Sequence, residues 1–225
     1  HQGAVSAVKF LPSGGQAIST GDGGNVFLWD LINKKRLYQF IGHKAKVVDI
    51  AISNDEKLLA TASWDGSIRL WDLEMKKLLQ TFQLESTSVN GVLISRDNKT
   101  IDSGGFDGKI RTWDVNTGYI KKIVYEQLWP VNAMRWLPGQ KRFVFGSSNG
   151  QVSVLNIETN KISKQLIPHE KPVLGLTVSI ENNLMASGGN DGVIRVWDTT
   201  EWSLKGEFQI FLGPVWALAF TADGK

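Results

Sequence analysis

The sequence predicts an all-β fold assembled from repeated sheets of four short antiparallel strands. Three observations predict it. A Trp-Asp pair recurs at Trp29-Asp30, Trp71-Asp72, Trp113-Asp114 and Trp197-Asp198, the first three 42 residues apart and the last two periods further on. The vacant slot holds Leu155-Asn156. A glycine register (Gly24, Gly66, Gly108, Gly150, Gly192) and a valine register (Val5, Val47, Val89, Val131, Val173, Val215) keep that period without a gap. Within each period the chain alternates short apolar runs with polar turns and shows no sustained helical periodicity. Self-similarity at such a spacing marks a repeat architecture.

Residues 43 to 83 show how one period reads. Val47 to Ile52 alternates apolar and other residues, and Ser53-Asn54-Asp55-Glu56 closes it with a polar turn. Leu58 to Ser63 is a second strand. Asp65-Gly66 is a tight turn, because glycine tolerates the positive φ that hairpin turns require. Ser67 to Trp71 is a third strand and Leu78 to Phe82 a fourth. Four short strands per ~40 residues make one blade of a β-propeller. The period divides a single propeller segment, 1–225, into blades at 1–42, 43–84, 85–126, 127–168 and 169–210, with a partial sixth at 211–225.

Composition narrows the chemistry. Hydrophobic residues make up 42% of the 225, enough for a sizeable core. The formal charge of +3 is spread along the chain without a basic block, which argues against a nucleic-acid partner. The absence of cysteine excludes disulfides, thiolate catalysis, cysteine-bound zinc and covalently attached c-type haem within this segment. No run approaches the ~18 apolar residues of a membrane helix, and His1 to Ala7 does not read as a signal peptide. No spacing suggests a metal or a cofactor. The compartment stays open, with the cytoplasm as default.

A His leading three of the periods (His1, His43, His169), an Asp-Gly turn and a Trp-Asp closing the third strand together resemble the WD40 repeat family. The resemblance covers the whole chain. It implies strands a to d running outward from a central channel, five complete blades, and strand a of a sixth at Val215 to Phe220. It further implies a fragment of a seven- or eight-bladed ring. It also implies a buried hydrogen-bond tetrad in each well-kept blade: His43, Thr61, Asp65 and Trp71 in the second, His169, Ser187, Asp191 and Trp197 in the fifth. Ser, His and Asp together invite an acyl-transfer reading. The set recurs with the repeat, however, which an active site has no reason to do, and all three histidines occupy tetrad slots. An unsatisfied buried polar group costs ~1–3 kcal/mol, so internal bracing explains the tetrads, and no catalytic residue is assigned. Other blades lose members. Gly23 fills the Asp slot of blade one, Glu85 the His slot of blade three, and Gln127, Phe145, Asn149 and Leu155 all four slots of blade four. Blade four is expected to rest on apolar packing of Phe143, Phe145, Val152, Val154 and Leu155.

By the same resemblance, ligands bind on the face carrying the d–a and b–c loops. The matching positions include Lys46, Val48, Trp64, Asn90, Phe106, Leu174 and Trp216. Trp64 and Phe106 each precede Asp-Gly in a turn, and aromatic residues are enriched among binding hot spots. The expected function is a non-enzymatic scaffold that binds a protein or peptide on this loop face. An alternative rests on Gly-Pro-Val-Trp-Ala at 213 to 217, which is similar to bacterial WD40 segments linked to c-type cytochrome domains. In that reading the chain is the propeller domain of an electron-transfer or signalling protein, with a haem domain outside this segment and a periplasmic location.

Overall fold

A computed structural model describes residues 1, 3–210 and 213–221. Among these, twenty strands form five antiparallel four-stranded sheets, each following chain order. The first blade holds β1 (Val5–Phe10), β2 (Gln16–Gly21), β3 (Val26–Asp30) and β4 (Lys35–Phe40). The second holds β5 (Val47–Ile52), β6 (Leu58–Ser63), β7 (Ser67–Asp72) and β8 (Lys77–Gln83). The third holds β9 (Val89–Ile94), β10 (Thr100–Gly105), β11 (Lys109–Asp114) and β12 (Ile120–Glu126). The fourth comprises β13 (Val131–Trp136), β14 (Arg142–Ser147), β15 (Val152–Asn156) and β16 (Lys161–Gln165). The fifth comprises β17 (Val173–Ser179), β18 (Leu184–Gly189), β19 (Val193–Asp198) and β20 (Leu204–Gln209). The chain divides into two compact units, His1–Ile123 and Val124–Lys225.

In the first unit the core lies between sheets. Ile18, Val26, Leu28 and Phe40 of the first blade meet Val47, Ile50, Leu59 and Trp71 of the second. Ala60, Ile68, Leu70 and Phe82 on the second blade's other side meet Val89, Val92, Ile101 and Trp113 of the third. Successive strand residues point to opposite faces, so a sheet covered on both sides needs apolar residues in both sets. The same aromatic contact recurs one period apart: Phe40 lies 5.3 Å from Trp71 and Phe82 lies 5.7 Å from Trp113, centroid to centroid.

The second unit repeats the arrangement. Val144, Val152 and Val154 of the fourth blade pack on Val173, Leu176, Met185 and Trp197 of the fifth. Gly146 leaves a socket that the Val173 side chain fills so closely that a Cβ there would collide with it. Gly188 forms the same socket for Val215, whose N–H donates to the Gly189 carbonyl at 3.0 Å. Residues 213–221 carry no strand ladder, so the strand expected over Val215 to Phe220 is not assigned there, although Gly175 of β17 lies against the Val215 and Trp216 carbonyls. Residues 211, 212 and 222–225 of the expected sixth blade lie outside the described residues.

Candidate interaction surface and the polar tetrads

The blade-two tetrad forms a continuous buried chain. Trp71 Nε1–H donates to Thr61 Oγ1 at 3.0 Å, and Thr61 Oγ1 lies 2.8 Å from His43 Nε2. His43 Nδ1 lies 2.9 Å from Asp65 Oδ2. With the carboxylate accepting, Nδ1 carries a proton. Burial acts to raise the Asp65 pKa, but donors from His43, Ser67 and the Lys44 N–H outweigh it and hold the group well below the usual carboxylate range. In blade five, Ser187 Oγ stands 2.8 Å from His169 Nε2, and His169 Nδ1 stands 3.1 Å from Asp191 Oδ2. Trp197 Nε1–H completes that chain to Ser187 at 3.3 Å. Burial lowers the His169 pKa, against the pull of Asp191. Thr61 and Ser187 are fully enclosed, and each hydroxyl is already engaged by a ring nitrogen and an indole N–H, so neither is open to a substrate.

The incomplete blades find other partners. Blade one keeps His1 and Trp29, each 2.7 Å from Ser19 Oγ, while Asp22 accepts from the Ala4 N–H. In blade three Glu85 is exposed, and Arg111 takes the place of the missing His with two bonds to Asp107 at 3.1 and 2.5 Å. Spacing alone did not reveal that exchange, because Arg111 comes from strand c and not from the His slot. In blade four Phe143, Phe145, Val152, Val154 and Leu155 are all wholly buried, and Gln127 donates to Ser147 Oγ at 2.7 Å.

One backbone bond fixes the loop face in every blade. Asp22, Trp64, Phe106, Ser148 and Asn190 each donate their N–H to the carbonyl of Ala4, Lys46, Ser88, Pro130 and Pro172 respectively, at 2.8–3.1 Å. The b–c turn is thereby tied to the d–a loop at the start of strand a. A second device sits two residues later. The strand a to strand b register skips at Ser6, Val48, Asn90, Asn132 and Leu174, a bulge that turns one side chain out of the ladder.

In the first unit these devices present Trp64 at 55% and Phe106 at 64% exposure. Lys46 Nζ stands 5.4 Å over the Trp64 ring and 3.5 Å from Asp22, linking the loops of blades one and two. Val48 and Asn90 are half-buried at their bulges. The second unit presents Trp216 at 71% and holds Leu174 half-buried. There Leu128 and Trp129, in the loop leading to β13, are also exposed, at 93% and 52%. Among the described residues no group of three or more His, Asp or Glu is placed to hold a metal ion. No described helix is long and apolar enough to cross a membrane.

The repeat profile described as WD domain, G-beta repeat matches residues 1–30, 34–72, 76–114 and 160–198, well over half of the chain. The chain belongs to the WD40 family. Its fourth blade falls largely outside the matched segments, as its lost tetrad explains. The chain is similar to the mitotic checkpoint protein BUB3.1 of Arabidopsis thaliana, 39% identical over 59 residues. That match covers 26% of this WD40 chain and 17% of the plant protein's length. A plant relative lends nothing to the bacterial, cytochrome-linked alternative.

Proposed function

We propose that this WD40 chain is a non-enzymatic platform that binds a protein or peptide on its loop face. In the first unit the proposed contacts are Trp64, Phe106, Lys46, Val48 and Asn90; in the second, taken by itself, they are Leu174 and Trp216. One observation carries the reading: two large aromatic rings stand more than half exposed on turns locked by backbone hydrogen bonds. Rigid, exposed aromatics lose little entropy on binding and contribute most per residue. The enclosed hydroxyls of the tetrads support the non-enzymatic part. The match over a short part of a mitotic checkpoint protein assigns this chain no checkpoint role. The same reading takes Val215–Phe220 as the opening strand of a sixth blade in a seven- or eight-bladed ring. The seat of Val215 at Gly188, which repeats that of Val173 at Gly146, supports it.

Affinity capture with the full chain, compared with its Trp64→Ala and Phe106→Ala variants, tests the surface. Each variant should keep the parent melting temperature and lose at least ~10-fold in affinity for a captured partner, the scale of a hot-spot truncation. Retention of every partner by both variants would remove these residues from the binding surface.

A further inference from the structure

The junction of blades four and five repeats that of blades one and two three periods later, with the same backbone frame and different side chains. The Leu11 N–H donates to the Gln16 carbonyl and the Leu73 N–H to the Lys57 carbonyl, both at 2.9 Å. Leu137 and Thr199 make the matching bonds to Arg142 and Asn183, at 3.0 and 2.8 Å. In the first junction Leu11 and Leu73 join one buried apolar cluster, and Lys57 and Glu74 carry opposite charges. In the second, Thr199 takes the Leu73 position at the same 7% exposure, Thr200 replaces Glu74, and Arg142 replaces Gln16.

These exchanges surround a partly open cavity of about 200 Å³, lined by Leu137, Pro138, Arg142, Asn183, Thr199 and Thr200. The side chains of Arg142, Asn183, Thr199 and Thr200 make no hydrogen bond or ion pair among the described residues. Arg142 is half-buried, and Asn183 and Thr200 are exposed, so a ligand can reach this polar rim. No lining residue is acidic. Glu158 is held by Lys141, and Asp198 by Lys205 and the N–H groups of Thr200 and Glu201. A guanidinium, an amide and hydroxyls beside the hydrocarbon of Leu137 and Pro138 suit a ligand that is anionic at one end and apolar at the other.

We propose that this cavity binds a small free monocarboxylic acid, its carboxylate on Arg142 and its short hydrocarbon stem on Leu137 and Pro138. One guanidinium matches one carboxylate, and the apolar wall disfavours a strongly hydrated oxyanion such as phosphate. The volume is below that of drug-sized ligand sites, which limits the acid to a short chain. The cavity lies among a–b and c–d turns, at the opposite ends of the strands from the loop face, and its test needs no protein partner. Its failure is therefore distinguishable from failure of the loop-face reading.

Butyrate is the probe, titrated into the full chain and followed by backbone amide NMR. Saturable shifts are expected at Arg142, Thr199 and Thr200, with none at the equivalent Gln16, Leu73 and Glu74. Thr199→Leu restores the side chain of the first junction, so it should keep at least the parent melting temperature while weakening butyrate tenfold or more. Arg142→Met, which keeps a long stem and removes the charge, should weaken it as much. Equal shifts from butyramide, tighter binding of inorganic phosphate or of N-acetyl-Glu-amide, or equal shifts at the first junction would overturn the proposal. So would undiminished binding to a folded Thr199→Leu or Arg142→Met variant.

Discussion

Asp102 shows how one side chain can work against its surroundings. It occupies the strand b position filled elsewhere by Ile18, Ala60, Val144 and Ala186, and it is only 2% exposed. Thr112 donates to it, yet burial dominates and pushes its pKa from 3.8 up to about 6. Between those two values the folded chain keeps a proton that the unfolded chain has released, so stability falls as pH rises through that window. At neutral pH the loss is on the order of 3 kcal/mol. Asp102→Asn, which keeps the shape and an acceptor for Thr112, should raise the melting temperature near neutral pH. The gain should vanish below about pH 4, where both states are protonated. Scanning calorimetry across that range checks it, and a gain independent of pH would exclude the carboxylate as its cause. Asp65 and Asp191 act with the opposite sign, their lowered values stabilising the fold until acid protonates them. The tetrad side chains came from the resemblance to the WD40 family, whose pattern the repeat register carries onto these residues. The partners Arg111 and Gln127 were not legible, since a substitute donor can come from any strand that passes within reach.

At the level of strands and turns, the b–c glycines hold each blade's geometry. Gly66, Gly108, Gly150 and Gly192 have φ between 74 and 87°, a region that side chains resist. Gly150 also lies against the His169 carbonyl, where a Cβ would collide, whereas Gly139 has φ 80° and open space around it. Gly139→Ala should therefore cost about 1 kcal/mol, the strain of the left-handed conformation alone. Gly150→Ala should cost at least 2–3 kcal/mol more by forcing backbone apart. Urea midpoints at unchanged slope measure the difference, and equal losses would show that the carbonyl contact yields freely. Alternation and turn residues located the strands to within a residue: Ser67 to Trp71 and Leu78 to Phe82 each extend by one or two positions in β7 and β8. The bulges at Val48, Asn90 and Leu174 left no mark in the sequence, because a skipped register depends on the partner strand and not on the residue itself.

Across the chain, identical positions meet different environments. Val47 and Ile50 are buried at 0% and 3%, whereas their equivalents Val5 and Val8 are 52% and 58% exposed, with Phe10 beside them at 64%. A contiguous apolar face of this kind favours association. The isolated 225-residue chain should sediment as a concentration-dependent mixture, and Val8→Lys with Phe10→Glu should shift it toward monomer. Unchanged sedimentation of that variant would clear this face of any role. The repeat made the five sheets legible, since every period carries the same valine and glycine markers. The division after Ile123 was not legible, because the 42-residue rhythm passes through it unbroken.

The tetrads of blades two and five each close within a single period, from His43 to Trp71 and from His169 to Trp197. What passes from sheet to sheet is mostly hydrocarbon, with a few polar exceptions such as the Val92 N–H on Asp49. Tandem copying of one such stretch of gene would therefore deliver a module with its interior donors and acceptors already matched. The newcomer would need only a greasy neighbour of the right contour, which every copy carries by inheritance.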